Sequence, residues 1–243
     1  MKVIYDNISY DEGVSVITCT NKKNMVENIL NNFLNQDISK KELIIVLNYD
    51  NPNLTKWNEK IRNFNNVHLY TLSSKNSLGK CLNLAVSKSR YPVIAKFDDD
   101  DFYGPRYLSD SLKAFHYTRA HIIGKSSMYV YFSEEKILAV KSPNRENKYV
   151  TRVGGATLIF KRSLFEKVKF RDKSLGEDKD FCTDCIRNGY KIFSVSRNHY
   201  VYIRRNKHTH TWKIDNKSFL DNCRIICKTE DFTNLVVGGQ CGV

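Results

Sequence analysis

The sequence predicts an α/β protein built on a mixed sheet, parallel in its N-terminal half with helices on both faces and extended by antiparallel strands in its C-terminal half. Three observations carry this. Over the first hundred residues, β-branched apolar runs alternate with stretches of helical period. The second half instead breaks into short strand-like runs with few helical stretches between them. No repeat, low-complexity tract or Pro/Gly linker divides the 243 residues, so one compact body is expected.

Val14 to Thr18 (VSVIT) reads as a buried strand, and Met25, Ile29, Leu30 and Phe33 then recur at helical spacing, predicting a helix over Lys23 to Asn35. Strands follow at Leu43 to Leu47 and Val67 to Leu72. Leu78, Cys81, Leu82, Ala85 and Val86 mark a helix over Ser77 to Ser89, and Val93 to Phe97 is a fourth strand. Short strands are then expected at 122–124, 128–132, 137–141, 156–160, 191–195 and 200–203, with helices near 107–116, 179–188 and 218–228. Residues 1–213 form the expected main domain, and 214–243 a helical extension packed on it that could also mediate a dimer.

The chain has 39 Lys and Arg against 26 Asp and Glu, a formal net charge of +13, which suits anionic ligands: nucleotide phosphates, nucleic acid or an anionic membrane surface. No apolar run is long enough to span a membrane and MKVIYDNISYDEG lacks a secretory leader pattern, so a cytoplasmic protein is expected. Seven cysteines, an odd number, fit reduced thiols. Cys182 and Cys185 form a C-x-x-C with no second pair to complete a zinc site, and they read as buried helix residues.

Against that charge, AKFDDDDFYGP places Asp98, Asp99, Asp100 and Asp101 together at a strand end. Parallel sheets bind ligands beyond the carboxyl ends of their strands. Neighbouring carboxylates repel unless a cation or solvent compensates them, and Asp98 and Asp100, two apart on an extended turn, point to one side. Mn²⁺ or Mg²⁺ prefers such oxygens and leaves positions for phosphates; the plainer alternative is a solvated acidic turn capping the next helix. NSLGKCLNLA sets Gly79 and Lys80 at a helix mouth, a fit for phosphate without the longer Walker pattern. SLGEDKDF supplies Glu177 and Asp178 at another helix start, as a general base or as a complement to the helix dipole. Arg204 to Trp212 (RRNKHTHTW) looks like a loop over an anionic ligand, with a metal-ligating His available.

Taken in order, VSVITCT, GKCLNLA, AKFDDDDFYGPRYL, VGGATLIF, GEDKDF and the late Arg, His and Trp segment resemble the family 2 glycosyltransferases of the spore-coat, capsule and wall polysaccharide type, over roughly residues 13 to 212. The resemblance implies the GT-A fold, a Rossmann-like mixed sheet. It implies inverting transfer from a nucleotide-diphosphate sugar, a UDP-sugar foremost, with Mn²⁺ or Mg²⁺. Position by position, it puts Thr20 and the second strand end at Asn48 around the base, and Lys80, Asn83 and Asp99 near the nucleotide. Asp98 is matched to ribose or a metal-bound water and Asp100 to the ion. Gly154 and Gly155 then face the sugar or acceptor, Asp178 with Glu177 beside it is the general base, Arg204 and Trp212 contact the donor, and His210 the metal or diphosphate. The family often carries Asp where Asn48 stands, and here the acid comes at Asp50. The expected acceptor is a glycan, a wall or capsule polymer, or a lipid-linked intermediate reached at the inner membrane face; the basic surface suits an anionic one. A metal-dependent nucleotidyltransferase would carry a Gly-rich signature after the first strand, which TCTNKKNMVEN lacks. A nucleic-acid-binding protein would lay its basic residues in a stripe, and here they are scattered.

Overall fold

The computed structural model describes residues 12–205 and 215–238. Its first half follows the alternation in the sequence, with one helix (α2) that was not expected: Val14–Thr20 (β1), Val26–Leu34 (α1), Lys41–Asn48 (β2), Leu54–Ile61 (α2), Val67–Leu72 (β3), Leu78–Lys88 (α3) and Val93–Lys96 (β4). β3, β2, β1 and β4 pair in that order, all parallel. Leu43, Ile45 and Leu47 of β2 face the core that holds Phe33 of α1 and Trp57 of α2, while Ile44 and Val46 face the core that holds Cys81, Leu82 and Ala85 of α3. Both faces are covered, which is why β2 is a continuous apolar run and does not alternate.

The second half contributes Phe102–Tyr103 (β5), Tyr107–Leu112 (α4), Ala114–Tyr117 (α5), Ile122–Gly124 (β6), Met128–Phe132 (β7), Ile137–Lys141 (β8), Lys148–Val150 (β9) and Ile159–Lys161 (β10). Glu177–Arg187 (α6), Ile192–Ser194 (β11), Tyr200–Arg204 (β12), Asn216–Leu220 (α7), Cys223–Lys228 (β13) and Thr233–Val237 (α8) complete it. β10 adds antiparallel to β4, and β6, β11 and β9 extend the same sheet to eight strands. The other strands do not continue that sheet. They form a second one, in the order β13-β8-β7-β12-β5. The aspartate run is the corner between the two, since β4 ends just before it in the first sheet and β5 opens just after it in the second.

The C-terminal extension corrects one expectation. The helix expected over 218–228 stops at Leu220, and Cys223–Lys228 is a strand, antiparallel to β8, with an irregularity between Ile225 and Cys227. A helical reading of Phe219, Cys223, Ile226 and Cys227 ignored the adjacent β-branched Ile225 and Ile226 and the edge of β8 that they complete.

Candidate active site

β1 and β4 run side by side, with Ile17 opposite Lys96, so the loops leaving their carboxyl ends share one space. Within it the four aspartates are divided by environment. Asp101 is buried: it accepts from the Tyr200 hydroxyl at 2.7 Å and the Ile203 amide at 3.1 Å, and its own carbonyl accepts from Asn32 at 2.9 Å. Burial, with Asp100 and Asp98 nearby, pushes its carboxyl well above the usual range despite those donors. It joins the run to β12 and is not placed to meet a ligand.

Asp99 is also buried and accepts from the Thr20 hydroxyl at 2.5 Å and the Lys22 ammonium at 3.0 Å. Desolvation and Asp100 raise its carboxyl, against the pull of Lys22 and Thr20. Asp100 lies 2.6 Å from the same ammonium, and Arg205 donates to its backbone carbonyl at 2.7 Å with the carboxylate 3.8 Å away. Asp98 is the most exposed of the four and pairs with Lys96, two residues back on β4. Its amide donates to the Tyr103 hydroxyl at 2.8 Å, which in turn donates to the carbonyl of Ala156 at 2.7 Å, and the Tyr103 ring stacks on Phe97 with centroids 3.8 Å apart.

Lys96 carries the site across to α6. It is buried, and burial works against its charge, but Asp98, Glu177 and Asp178 outweigh burial and hold its pKa above the ordinary lysine value. Glu177, buried at the first turn of α6, is pushed up by burial and by Asp178 while Lys96 opposes this. Asp178 lies against Gly155: a Cβ added there would stand 2.5 Å from Asp178 Oδ2. Gly154 is similarly filled by Met128, whose Cε would be 2.6 Å from such an atom. These glycines let the segment before β10 press on a carboxylate and on a thioether.

Other expected residues sit elsewhere. Gly79 faces the 171–173 loop, where a Cβ would collide with the backbone oxygen of Arg171, and its amide donates to Lys173 at 3.1 Å. Lys80 pairs with Asp172 at 3.0 Å, and Asn83 spends both ends of its amide on the backbone of Phe170, at 2.9 and 3.0 Å. The GKCLN stretch thus latches α3 to the loop that leads into α6. Asn48 donates to the carbonyl of Ser73 at 2.8 Å, and Asp50 accepts from the amide of Ser74 at 3.1 Å. Arg204 is fully buried, bonded to Asn216 at 3.0 and 3.2 Å and to Tyr202 at 3.2 Å, and so faces α7. Strand alternation turns the next residue, Arg205, to the aspartates. Cys182 and Cys185 are buried free thiols, pushed up by burial to about 11 and about 12. His210 and Trp212 lie outside the described residues.

Two cations, Lys22 and Lys96, were not singled out from sequence, and Arg205 was read only as part of the segment from Arg204 to Trp212. Lys96, at i−2 from Asp98 on a strand, carried a readable signal; the others reach the run only through tertiary structure. Among the described residues no three His, Cys, Asp or Glu side chains converge as a metal site. The donor chemistry nevertheless suits a hard cation, because a stand-in already bridges two of the carboxylates: the Lys22 ammonium. Among the described residues no helix is long and apolar enough to cross a membrane.

Solved structures share this architecture. TarS 1-349 of S. aureus aligns with TM-score 0.62 at 20% identity, covering 79% of this chain and 60% of that one. TarS 1-349 in complex with UDP-GlcNAc aligns with TM-score 0.64 at 18% identity, over 86% and 64% of the two chains. The chain therefore spans less than two thirds of these structures, and identities this low establish likeness of fold alone. No curated protein sequence matches. Residues 15–172 match the model of glycosyl transferase family 2, from β1 through the aspartates to the loop before α6. With most of its length inside that match, this chain is a member of glycosyl transferase family 2 with a GT-A fold.

Proposed function

We propose that this glycosyltransferase inverts the anomeric centre as it moves a sugar from a UDP-sugar to a hydroxyl of a glycan, a wall or capsule polymer, or a lipid-linked intermediate. The observation that carries the reading is that one buried lysine, paired with Asp98 in the loop after β4, lies within electrostatic reach of a second acidic group, Glu177 with Asp178 from α6. Carboxylates on separate elements can divide the labour, one set at the donor and one at the acceptor. The choice of UDP is supported by the UDP-GlcNAc bound to the TarS relative in fold.

In this scheme the diphosphate lies at the Lys22, Asp100 and Arg205 end. The acceptor oxygen attacks the anomeric carbon, the bond from that carbon to the diphosphate oxygen breaks, and UDP leaves with the electron pair. Asp178 takes the hydroxyl proton. Gly155 keeps the space its carboxylate occupies, and Lys96 holds the carboxylates of β4 and α6 in one place. Mn²⁺ or Mg²⁺, held by Asp100 with Asp98 or Asp99, would neutralise charge on the leaving diphosphate when bound. Asn48 and Thr20 remain the proposed neighbours of the base.

The test is UDP release with a panel of UDP-sugars and acceptors, on the parent chain and Asp178→Asn. The substitution should lower kcat by about 10³-fold, as loss of a general base does, and leave UDP binding within about threefold. Near-normal turnover would remove Asp178 from the role.

A further inference from the structure

The Asp99 and Asp100 carboxylates are fixed acceptors. Asn28 donates to the carbonyl of Asp99 at 2.7 Å, Arg205 to that of Asp100 at 2.7 Å, and Asn32 to that of Asp101 at 2.9 Å. Tyr103 receives the amide of Asp98, and Thr20 binds the Asp99 side chain. The run therefore has little freedom to open or close around an ion.

Their counter-ion is held differently. Lys22 sits on the loop after β1 between exposed Asn21 and Lys23, its side chain is 28% exposed, and its ammonium reaches Asp99 at 3.0 Å and Asp100 at 2.6 Å from the end of a flexible stem. Arg205 cannot make the same exchange, being tied to the backbone of Asp100. The Lys22 ammonium bridges both carboxylates, while the Arg205 guanidinium stands 3.8 Å from Asp100. A divalent ion seated between the two carboxylates must first displace the lysine.

We propose that Lys22 is a built-in counter-ion that keeps divalent cations off the Asp99 and Asp100 pair until a nucleotide diphosphate arrives, when its ammonium passes to the phosphate oxygens. A metal ion entering alone strips the lysine of two charge-assisted hydrogen bonds and returns it to water. With a diphosphate present the ammonium exchanges carboxylate oxygens for phosphate oxygens, and the metal gains phosphate ligands as well. Metal and nucleotide then bind as one unit, and each raises the affinity of the other by the same factor. The inference rests on the nucleotide-sugar donor reading above.

Calorimetric titration of Mn²⁺ into the full chain, with and without saturating UDP, tests it on the parent protein, Lys22→Met and Lys22→Gln. In the parent, UDP should tighten Mn²⁺ by at least about tenfold. In the two variants Mn²⁺ alone should bind about tenfold more tightly than to the parent, and the gain from UDP should shrink. Equal Mn²⁺ affinity of the parent with and without UDP overturns the proposal with no variant needed. So does equal Mn²⁺ affinity, without UDP, of parent and variants. If UDP binds under neither condition, the donor reading itself has failed; if UDP binds but Mn²⁺ affinities do not differ, only the role of Lys22 has.

Discussion

Two lysines, Lys96 and Lys125, are buried to nearly the same extent, 4% and 2% exposed, yet the protein treats their charges in opposite ways. Around Lys96 stand Asp98, Glu177 and Asp178, and its pKa is held above the ordinary value. Around Lys125 the bonded partners are neutral: it donates to the carbonyls of Ser196 at 2.5 Å and Asn198 at 2.9 Å and lies 5.1 Å from the centre of the Tyr107 ring. Burial pushes its pKa down to about 7, with Glu146 and Asp110 opposing too weakly to restore it. Burial alone therefore does not fix the charge of a lysine; the carboxylates around it do.

Removing Lys96 breaks this comparison most severely. Lys96→Met leaves the buried Glu177 with Asp98 and Asp178 and no ammonium among them, and should cost about 3 kcal/mol in urea unfolding. The lower end of the usual range applies because Asp98 is partly solvated. A loss under about 1 kcal/mol would mean that the carboxylates simply take up protons, and that Lys96 does not hold the two acidic groups together.

A smaller effect is expected where the carboxylate proposed as general base meets the backbone. Gly155→Ala puts a methyl 2.5 Å from Asp178 Oδ2 and 2.9 Å from its Cβ; the carboxylate can rotate away, but the Cβ yields only by a small shift of the backbone. Transfer should fall by about tenfold to a hundredfold, as misplacement of a proposed catalytic group by about an ångström does, with a smaller loss of stability than at Gly79. Gly79→Ala is the structural control: its methyl meets the backbone oxygen of Arg171, which cannot rotate, so stability should suffer there. If Gly155→Ala keeps full turnover, the Asp178 position is not critical.

The parallel half was legible because burial on both faces writes itself into composition: Leu43 to Leu47 needs no alternation when α1, α2 and α3 cover the sheet. The aspartate run was legible as a candidate site because four like charges at a strand end demand compensation. What compensates them was not. Lys22 is 77 residues from Asp99, and no local pattern links them. GKCLN looked like a phosphate cradle because a glycine that permits close approach reads the same whether a phosphate or the backbone of Arg171 approaches. The helix expected across Cys223 to Lys228 failed similarly, since the edge of β8 it completes lies some 80 residues earlier.

Lys125 gives the smallest effect within any one pH unit and the sharpest sign. An ordinary lysine in the unfolded chain keeps its proton to about pH 10.4, whereas Lys125 in the folded chain releases it near 7. Between those limits the unfolded state binds more protons, so stability rises with pH, by at most about 1.4 kcal/mol per unit for one group. Below about 7 both states are protonated and the full cost of burying the charge is present. Lys96, held up, stays charged in both states from pH 7 to 9 and adds no slope. Urea unfolding at pH 7, 8 and 9 should therefore show stability rising more steeply in the parent than in Lys125→Met, whose loss of the Ser196 and Asn198 bonds is the same at every pH. Parallel curves would show that the carbonyl oxygens suffice to keep this buried ammonium charged.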